Sequence, residues 1–137
     1  MAVVKELIRT EENGTMSFGD YELDKKAKLS DYPYQNALYK VKTFREITKL
    51  EKNDMFVYES VPGTAVFGLQ QGEGEVSFSV EGAEDAQITV GMEPDSKYEV
   101  FLDGVSTGVV ETNLGGKLSF SVELGNAAKV EVKIVKC

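Results

Sequence analysis

Glu75-Val-Ser-Phe-Ser-Val-Glu81 places Val76, Phe78 and Val80 on one side of an extended chain and Glu75, Ser77, Ser79 and Glu81 on the other. Successive side chains of a strand point to opposite faces, so a period of two describes a strand with one dry and one wet face. The same alternation recurs in Ile88, Val90 and Met92, in Tyr98, Val100 and Leu102, in Leu118, Phe120, Val122 and Leu124, and in Val130, Val132 and Ile134. Shorter runs at Ala65 to Leu69 and Val105 to Val110 bring the expectation to about seven strands after residue 62. Between them lie turn formers: Gly72-Glu73-Gly74, Glu93-Pro94-Asp95, Asp103-Gly104, Asn113-Leu114-Gly115-Gly116 and Gly125-Asn126. Asp-Gly supplies the two positive-φ positions of a type I′ hairpin. Short strands at this spacing, with no helical period between them, predict an all-β fold containing an antiparallel β-sandwich of about seven strands over residues 63–137.

Residues 1–62 predict a smaller β-rich N-terminal unit. Tyr39 to Phe44 and Met55 to Tyr58 have strand composition, and Asn53-Asp54 suits a hairpin joining Ile47–Lys52 to Met55–Val61. Residues 43–52 also carry a competing helical signal: Thr43-Phe-Arg-Glu46 matches a capping box, and Phe44, Ile47 and Leu50 fall three apart. The strongly β-prone Met-Phe-Val-Tyr run that follows favours the hairpin. Val3, Val4, Leu7 and Ile8 fit a strand or two turns of helix. Asp24 to Asn36 is polar, contains Pro33 and predicts a long loop, and Pro62-Gly63 predicts a type II turn at the junction of the two units.

The chain of 137 residues carries 23 acidic and 15 basic side chains, a formal net charge of −8, and no histidine. Without histidine there is no Ser-His-Asp or Cys-His pair, no imidazole base and no His-containing zinc site. The charge divides unevenly. Residues 1–62 hold 10 basic and 11 acidic groups, whereas residues 63–137 hold 5 and 12. An acidic chain repels phosphate backbones, so nucleic acid is not an expected partner. Lys5, Glu6 and Arg9 interrupt the first apolar run, and no stretch has the length of a membrane span. The expected location is therefore the cytoplasm or a phage-like particle, without a signal peptide and without a membrane partner. The only cysteine, Cys137, has no partner within the chain and is expected to be a bystander thiol on a frayed end, with a link to another chain as the alternative.

Candidate chemistry is sparse. Asp20, Glu22 and Asp24 are spaced by two and would share a strand face able to gather calcium, but Lys25 stands where the helix-loop-helix calcium motif needs glycine; a solvated acidic face is the simpler expectation. Glu84-Asp85 and Glu93/Asp95 would serve as general acid and base only if the fold paired them. Gly72-Glu-Gly-Glu75 and Asn113-Leu-Gly-Gly116 open no helix after a buried strand and are expected to be turns rather than phosphate loops. Lys40, Lys42, Arg45, Lys49 and Lys52 interleave with Tyr39 and Phe44 in the composition of an anionic-ligand patch, diluted by Glu46 and Glu51. Five of six tyrosines fall in residues 1–62, as core or as a platform for sugars. The run Met55-Phe-Val-Tyr58 is apolar at every position, so it demands cover on both faces: from within the monomer, or from a neighbouring subunit.

Val4-Lys-Glu-Leu-Ile-Arg9, Phe56-Val-Tyr-Glu-Ser-Val-Pro-Gly-Thr-Ala65, Val80-Glu-Gly-Ala-Glu-Asp-Ala-Gln-Ile88 and Tyr98-Glu-Val-Phe-Leu-Asp-Gly104 resemble stretches of short, uncharacterised proteins of anaerobic Gram-positive bacteria often labelled "endosialidase". The label implies a site with three arginines and a tyrosine-glutamate pair beside an aspartate; this chain has two arginines, Arg9 and Arg45. Residues 63–137 also resemble accessory β-sandwich modules of carbohydrate-active enzymes, through Tyr98 to Gly104 and Gly116-Lys-Leu-Ser-Phe-Ser-Val122. The resulting expectation is a non-enzymatic structural or assembly protein without cofactor, metal or catalytic residues. It would form a homo-oligomer through Met55, Phe56, Val57, Tyr58, Tyr39 and Phe44. The alternative is a carbohydrate-binding module taking glycans on its tyrosines and sandwich loops, and the third reading is a carboxylate-dependent glycosidase or lyase.

Overall fold

Among the described residues, 3–125 and 129–137, the computed structural model contains no helix. Strands β1 (Ile8–Thr10), β2 (Met16–Phe18), β7 (Ala65–Gly72), β8 (Glu75–Glu81), β10 (Lys97–Leu102), β11 (Val105–Glu111) and β13 (Val130–Lys136) form one antiparallel sheet, in the order β1-β2-β7-β8-β13-β10-β11. The second sheet comprises β3 (Ala27–Tyr34), β4 (Ala37–Phe44), β5 (Ile47–Lys52), β6 (Met55–Val61), β9 (Ala86–Gly91) and β12 (Lys117–Val122), in the order β12-β9-β6-β5-β4-β3. The two sheets pack face to face as a β-sandwich. All seven strands expected after residue 62 are present, and their alternating apolar residues, such as Val76, Phe78, Val80, Ile88, Val90, Tyr98 and Val100, are the buried ones.

Strand pairing runs across the expected boundary at Pro62. β2 pairs with β7, and β6 pairs with β9, so both segments of the chain contribute strands to both sheets. One cluster of buried side chains joins Phe18, Tyr39, Leu50 and Tyr58 to Phe78, Ile88, Leu118 and Ile134. The physical reason is area. A half of about 60 residues cannot bury two sheet faces alone, whereas sharing strands gives each sheet a full partner. Pro62–Thr64 is accordingly the crossing from β6 in one sheet to β7 in the other, and the Val61–Pro62 peptide is cis.

The hairpin reading of residues 43–52 is the one realised. Asn53 and Asp54 take φ of 48° and 65°, the two positive values of a type I′ turn, between β5 and β6. Val4 is buried just outside any strand, and only Ile8–Thr10 of the N-terminal run pairs in a sheet. The expected loop from Asp24 to Asn36 is corrected by the structure: residues 27–34 form edge strand β3, and Gln35-Asn36, both at positive φ, turn it into β4. Its polarity reflects its place. An edge strand has one neighbour and a solvated outer face, and Pro33 and the register shift between Leu29 and Tyr32 protect the free edge.

A buried hydroxyl network ties the crossing to the six-stranded sheet. Thr64 Oγ1 lies 2.8 Å from Tyr58 OH and 2.7 Å from Ser60 Oγ, while Thr48 Oγ1 donates to Thr64 O at 2.8 Å and lies 2.8 Å from Thr43 Oγ1. Burial pushes the Tyr58 hydroxyl up in pKa, well above the ordinary tyrosine value, against the smaller opposing effect of its Thr64 and Ser60 hydrogen bonds.

Candidate functional site

The core-facing residues of β4 and β5 are Ala37, Tyr39, Val41 and Thr43, and Thr48 and Leu50; all are buried. Their alternates, Lys40, Lys42, Phe44, Lys49 and Glu51, therefore cover the outer face of the six-stranded sheet. Register then decides which charges meet. Lys28 of β3 stands directly opposite Lys42 of β4, and Lys42 directly opposite Lys49 of β5. Directly opposed side chains in an antiparallel pair have Cβ atoms about 5 Å apart, and like charges there are destabilising. Burial, followed by the neighbouring charges of Lys26, Lys49 and Lys28, holds the Lys42 ammonium below the ordinary lysine pKa. Three cations are thus lined up across three strands at a cost to folding.

Two half-buried aromatic rings flank this row. Phe44 carries the Lys26 ammonium 6.0 Å from its centroid, and Phe56 carries that of Lys117 at 4.7 Å. Gly91 makes room for the second pair: a Cβ on it would lie 2.5 Å from the Phe56 carbonyl oxygen. Lys40 is opposite Glu51 and bonded to it at 3.3 Å, and Glu59 is opposite Lys49. The face therefore gathers Lys26, Lys28, Lys40, Lys42, Lys49 and Lys117 against Glu51 and Glu59, on a chain whose net charge is −8.

The residues expected at a subunit interface separate. Tyr39, Val57 and Tyr58 are buried in the monomer's own core, Phe44 and Phe56 are half-buried on the lysine face, and Met55 is 71% exposed at the start of β6. A β-bulge explains why the adjacent Val57 and Tyr58 are both apolar. Leu50 pairs with Tyr58 and Glu51 with Phe56, so Val57 is an extra residue and the in-out parity shifts within the strand. β6 lies between β5 and β9, and its core face is covered internally: Tyr58 meets Phe18 at 5.3 Å and Phe78 at 5.7 Å, both edge-on.

The carboxylates considered for metal or acid-base chemistry have structural duties. Asp20 is buried rather than part of a solvated acidic face, and its Oδ1 accepts from the Glu22 backbone N–H at 3.0 Å, closing a turn. Asp24 is exposed and 3.9 Å from Arg45, so the three acids share no strand face. Asp85 Oδ1 accepts from the Leu124 and Gly125 N–H groups, each at 2.8 Å, and Glu93 pairs with Lys136. Cys137 is exposed, but its N–H donates to Lys97 O at 2.9 Å, which ties the end to β10 instead of leaving it frayed. Among the described residues no helix is long and apolar enough to cross a membrane. Set against known proteins, the chain matches no family model, and neither a curated protein nor a solved structure shows significant similarity to it.

Proposed function

We propose that this protein is a non-enzymatic carbohydrate-binding module that holds an acidic polysaccharide across the outer face of its six-stranded sheet. The observation that carries the proposal is the Lys28–Lys42–Lys49 row, in which like charges are opposed without a carboxylate between them. A purely structural sheet face would alternate signs there, because opposite charges in those positions add stability. Charge spacing selects the ligand. Neighbouring strands lie about 4.8 Å apart, and alternate residues along a strand about 6.8 Å, so the ammonium groups form a sparse lattice. A polysaccharide whose carboxylates are separated by whole sugar rings matches such a lattice. A nucleic-acid duplex, with one charge per about 1.7 Å, brings far more negative charge against a chain that is itself acidic. Phe44 and Phe56 offer apolar rings to sugar C–H groups once Lys26 and Lys117 turn toward the ligand.

The magnitude is modest. An ammonium-carboxylate contact at about 4 Å in water contributes about 1 kcal/mol, so five contacts give about 5 kcal/mol, a Kd of order 0.1–1 mM. Titration with polygalacturonate and hyaluronan at low salt, followed by calorimetry, is expected to give binding that weakens as salt rises, with dextran as the uncharged control. Affinity for polygalacturonate and hyaluronan that does not fall as salt rises, or that is unchanged in Lys42→Glu/Lys49→Glu, overturns the proposal.

A second reading, self-association, has its own observation. Leu38 is 50% and Met55 71% exposed, and Leu38 is joined to the adjacent turn by its N–H donating to Asn53 Oδ1 at 3.0 Å. Both lie at the same end of the six-stranded sheet, on opposite faces, where a second copy could cover them. A monodisperse species of 15.1 kDa in light scattering refutes that reading.

A further inference from the structure

A cleft of about 490 Å³ opens beside β7 and β8, between the β1–β2 turn and the Tyr34–Gln35 end of β3. Its walls are fixed. Asn13 Oδ1 accepts from the Thr15 N–H at 3.1 Å and hydroxyl at 2.7 Å, and Tyr34 OH donates to Gly14 O at 2.7 Å while its ring stands edge-on to Tyr39 at 5.7 Å. The lining polar groups are not used up in the same way: among the described residues, the side chains of Gln35, Gln70, Gln71, Glu73 and Ser77 make no hydrogen bond within the protein. A bulge aims two of them. Phe67 pairs with Ser79 and Gln70 with Ser77, so β7 carries one residue more than β8, with Gly68 at φ 67° and its N–H donating to Ser17 Oγ at 3.1 Å. That extra residue turns Leu69 into the core and places Gln70 beside Ser77. β2 stops at Met16, opposite Leu69, so the ladder from β2 does not extend to Gln70, Gln71 and Gly72.

We infer that this cleft is a second binding site, for a neutral saccharide. It has preorganised walls, an aromatic side chain and several unengaged amide, hydroxyl and carboxylate groups, a composition that exchanges paired hydrogen bonds with vicinal sugar hydroxyls. Among the described residues no lysine or arginine lines it, Glu75 is paired with Lys133 at 3.3 Å, and Glu73 makes no ion pair, so the cleft offers an acidic sugar no free cation and is chemically distinct from the lysine face. The site does not depend on the lysine face and is tested separately. Backbone amide NMR spectra of the whole ¹⁵N-labelled chain are recorded in high salt, with cello-, manno-, xylo- and galacto-oligosaccharides added to millimolar concentration. The expected result is saturable shifts for at least one of them at Gly14, Gln70, Gln71, Gly72 and Glu73. Gln70→Ala/Gln71→Ala, which changes two exposed side chains, is expected to weaken that binding roughly tenfold or more, as the loss of two hydrogen bonds implies. Lys42→Glu/Lys49→Glu should leave it unchanged. Absence of saturable shifts with all four saccharides, shifts elsewhere on the surface, or full affinity in the glutamine variant overturns the inference.

Discussion

Replacing Tyr58 separates core from interface. Its ring is 1% exposed between Phe18 and Phe78, and its hydroxyl lies 2.8 Å from Thr64 Oγ1, which also lies 2.7 Å from Ser60 Oγ. Tyr58→Phe removes one buried hydroxyl but leaves Thr64 bonded to Ser60, so no polar group is orphaned. The expected cost is that of one net hydrogen bond, about 1 kcal/mol, or a fall in Tm of about 3–5 °C for a domain of this size. Tyr58→Ala removes the ring as well and opens a cavity where two edge-on aromatic pairs met. That costs about 3–5 kcal/mol, a large share of the roughly 5–15 kcal/mol by which a domain is stable. Urea unfolding followed by far-UV circular dichroism measures both, and the urea midpoint should fall in proportion while protein concentration has no effect on it. Phe56→Asp, on the outer face, should cost less than either the alanine change at Tyr58 or its aspartate counterpart. A Tyr58→Ala protein that keeps its midpoint, or whose midpoint rises with concentration, would refute the assignment of Tyr58 to the monomer core.

Alkaline stability should reflect the buried tyrosines. Burial raises the hydroxyl pKa of Tyr58 and Tyr39, and that of Tyr21 is pushed up to about 12 by burial and then by the charges of Glu81, Glu22 and Asp20. A group whose pKa is higher folded than unfolded contributes stability that is intact below the unfolded value and lost as pH rises toward the folded one, so urea midpoints should hold below about pH 10 and fall above it. Tyr58→Phe should make that fall shallower; an equal slope in the two proteins contradicts the burial of its hydroxyl. Lys42→Glu should raise stability by about 0.5–1 kcal/mol, because it converts two like-charge pairs into opposite-charge ones, while weakening the salt-sensitive binding of polygalacturonate roughly thirtyfold, since one attraction of about 1 kcal/mol becomes a repulsion. Loss of stability in thermal melts of this variant would show that the lysine row is not strained. Gly91→Ala drives a methyl group against the Phe56 carbonyl and should cost about 1–3 kcal/mol in the same melts, with a neutral result contradicting the close approach of β9 to β6.

Alternation in Val76–Val80 and its counterparts made most strands legible, because a strand half in water can be dry on one side only. Asn53-Asp54 and Asp103-Gly104 marked hairpins for a similarly local reason: few residues accept two successive positive φ values. β3 was illegible as a strand because its edge position allows a polar face and a proline. Met55–Tyr58 departs from alternation for another local reason, a bulge that places Val57 and Tyr58 both in the interior. The candidate site was partly visible as the lysines of residues 40–52, whereas Lys28, Lys26 and Lys117 gave no sign of belonging with them.

Local chemistry thus determined an all-β chain, which residues of most strands are dry, and where the acid excess lies. Only the tertiary structure decided which strands are neighbours, since backbone hydrogen bonds are indifferent to the residues they join and the choice among partners is made by shared burial over long separations. That choice interleaved the two segments in both sheets across Pro62, and the resulting register set Lys28 opposite Lys42, 14 positions on, and Lys42 opposite Lys49. A row of three cations on an acidic protein is therefore a property of strand pairing, invisible until the sheet is assembled.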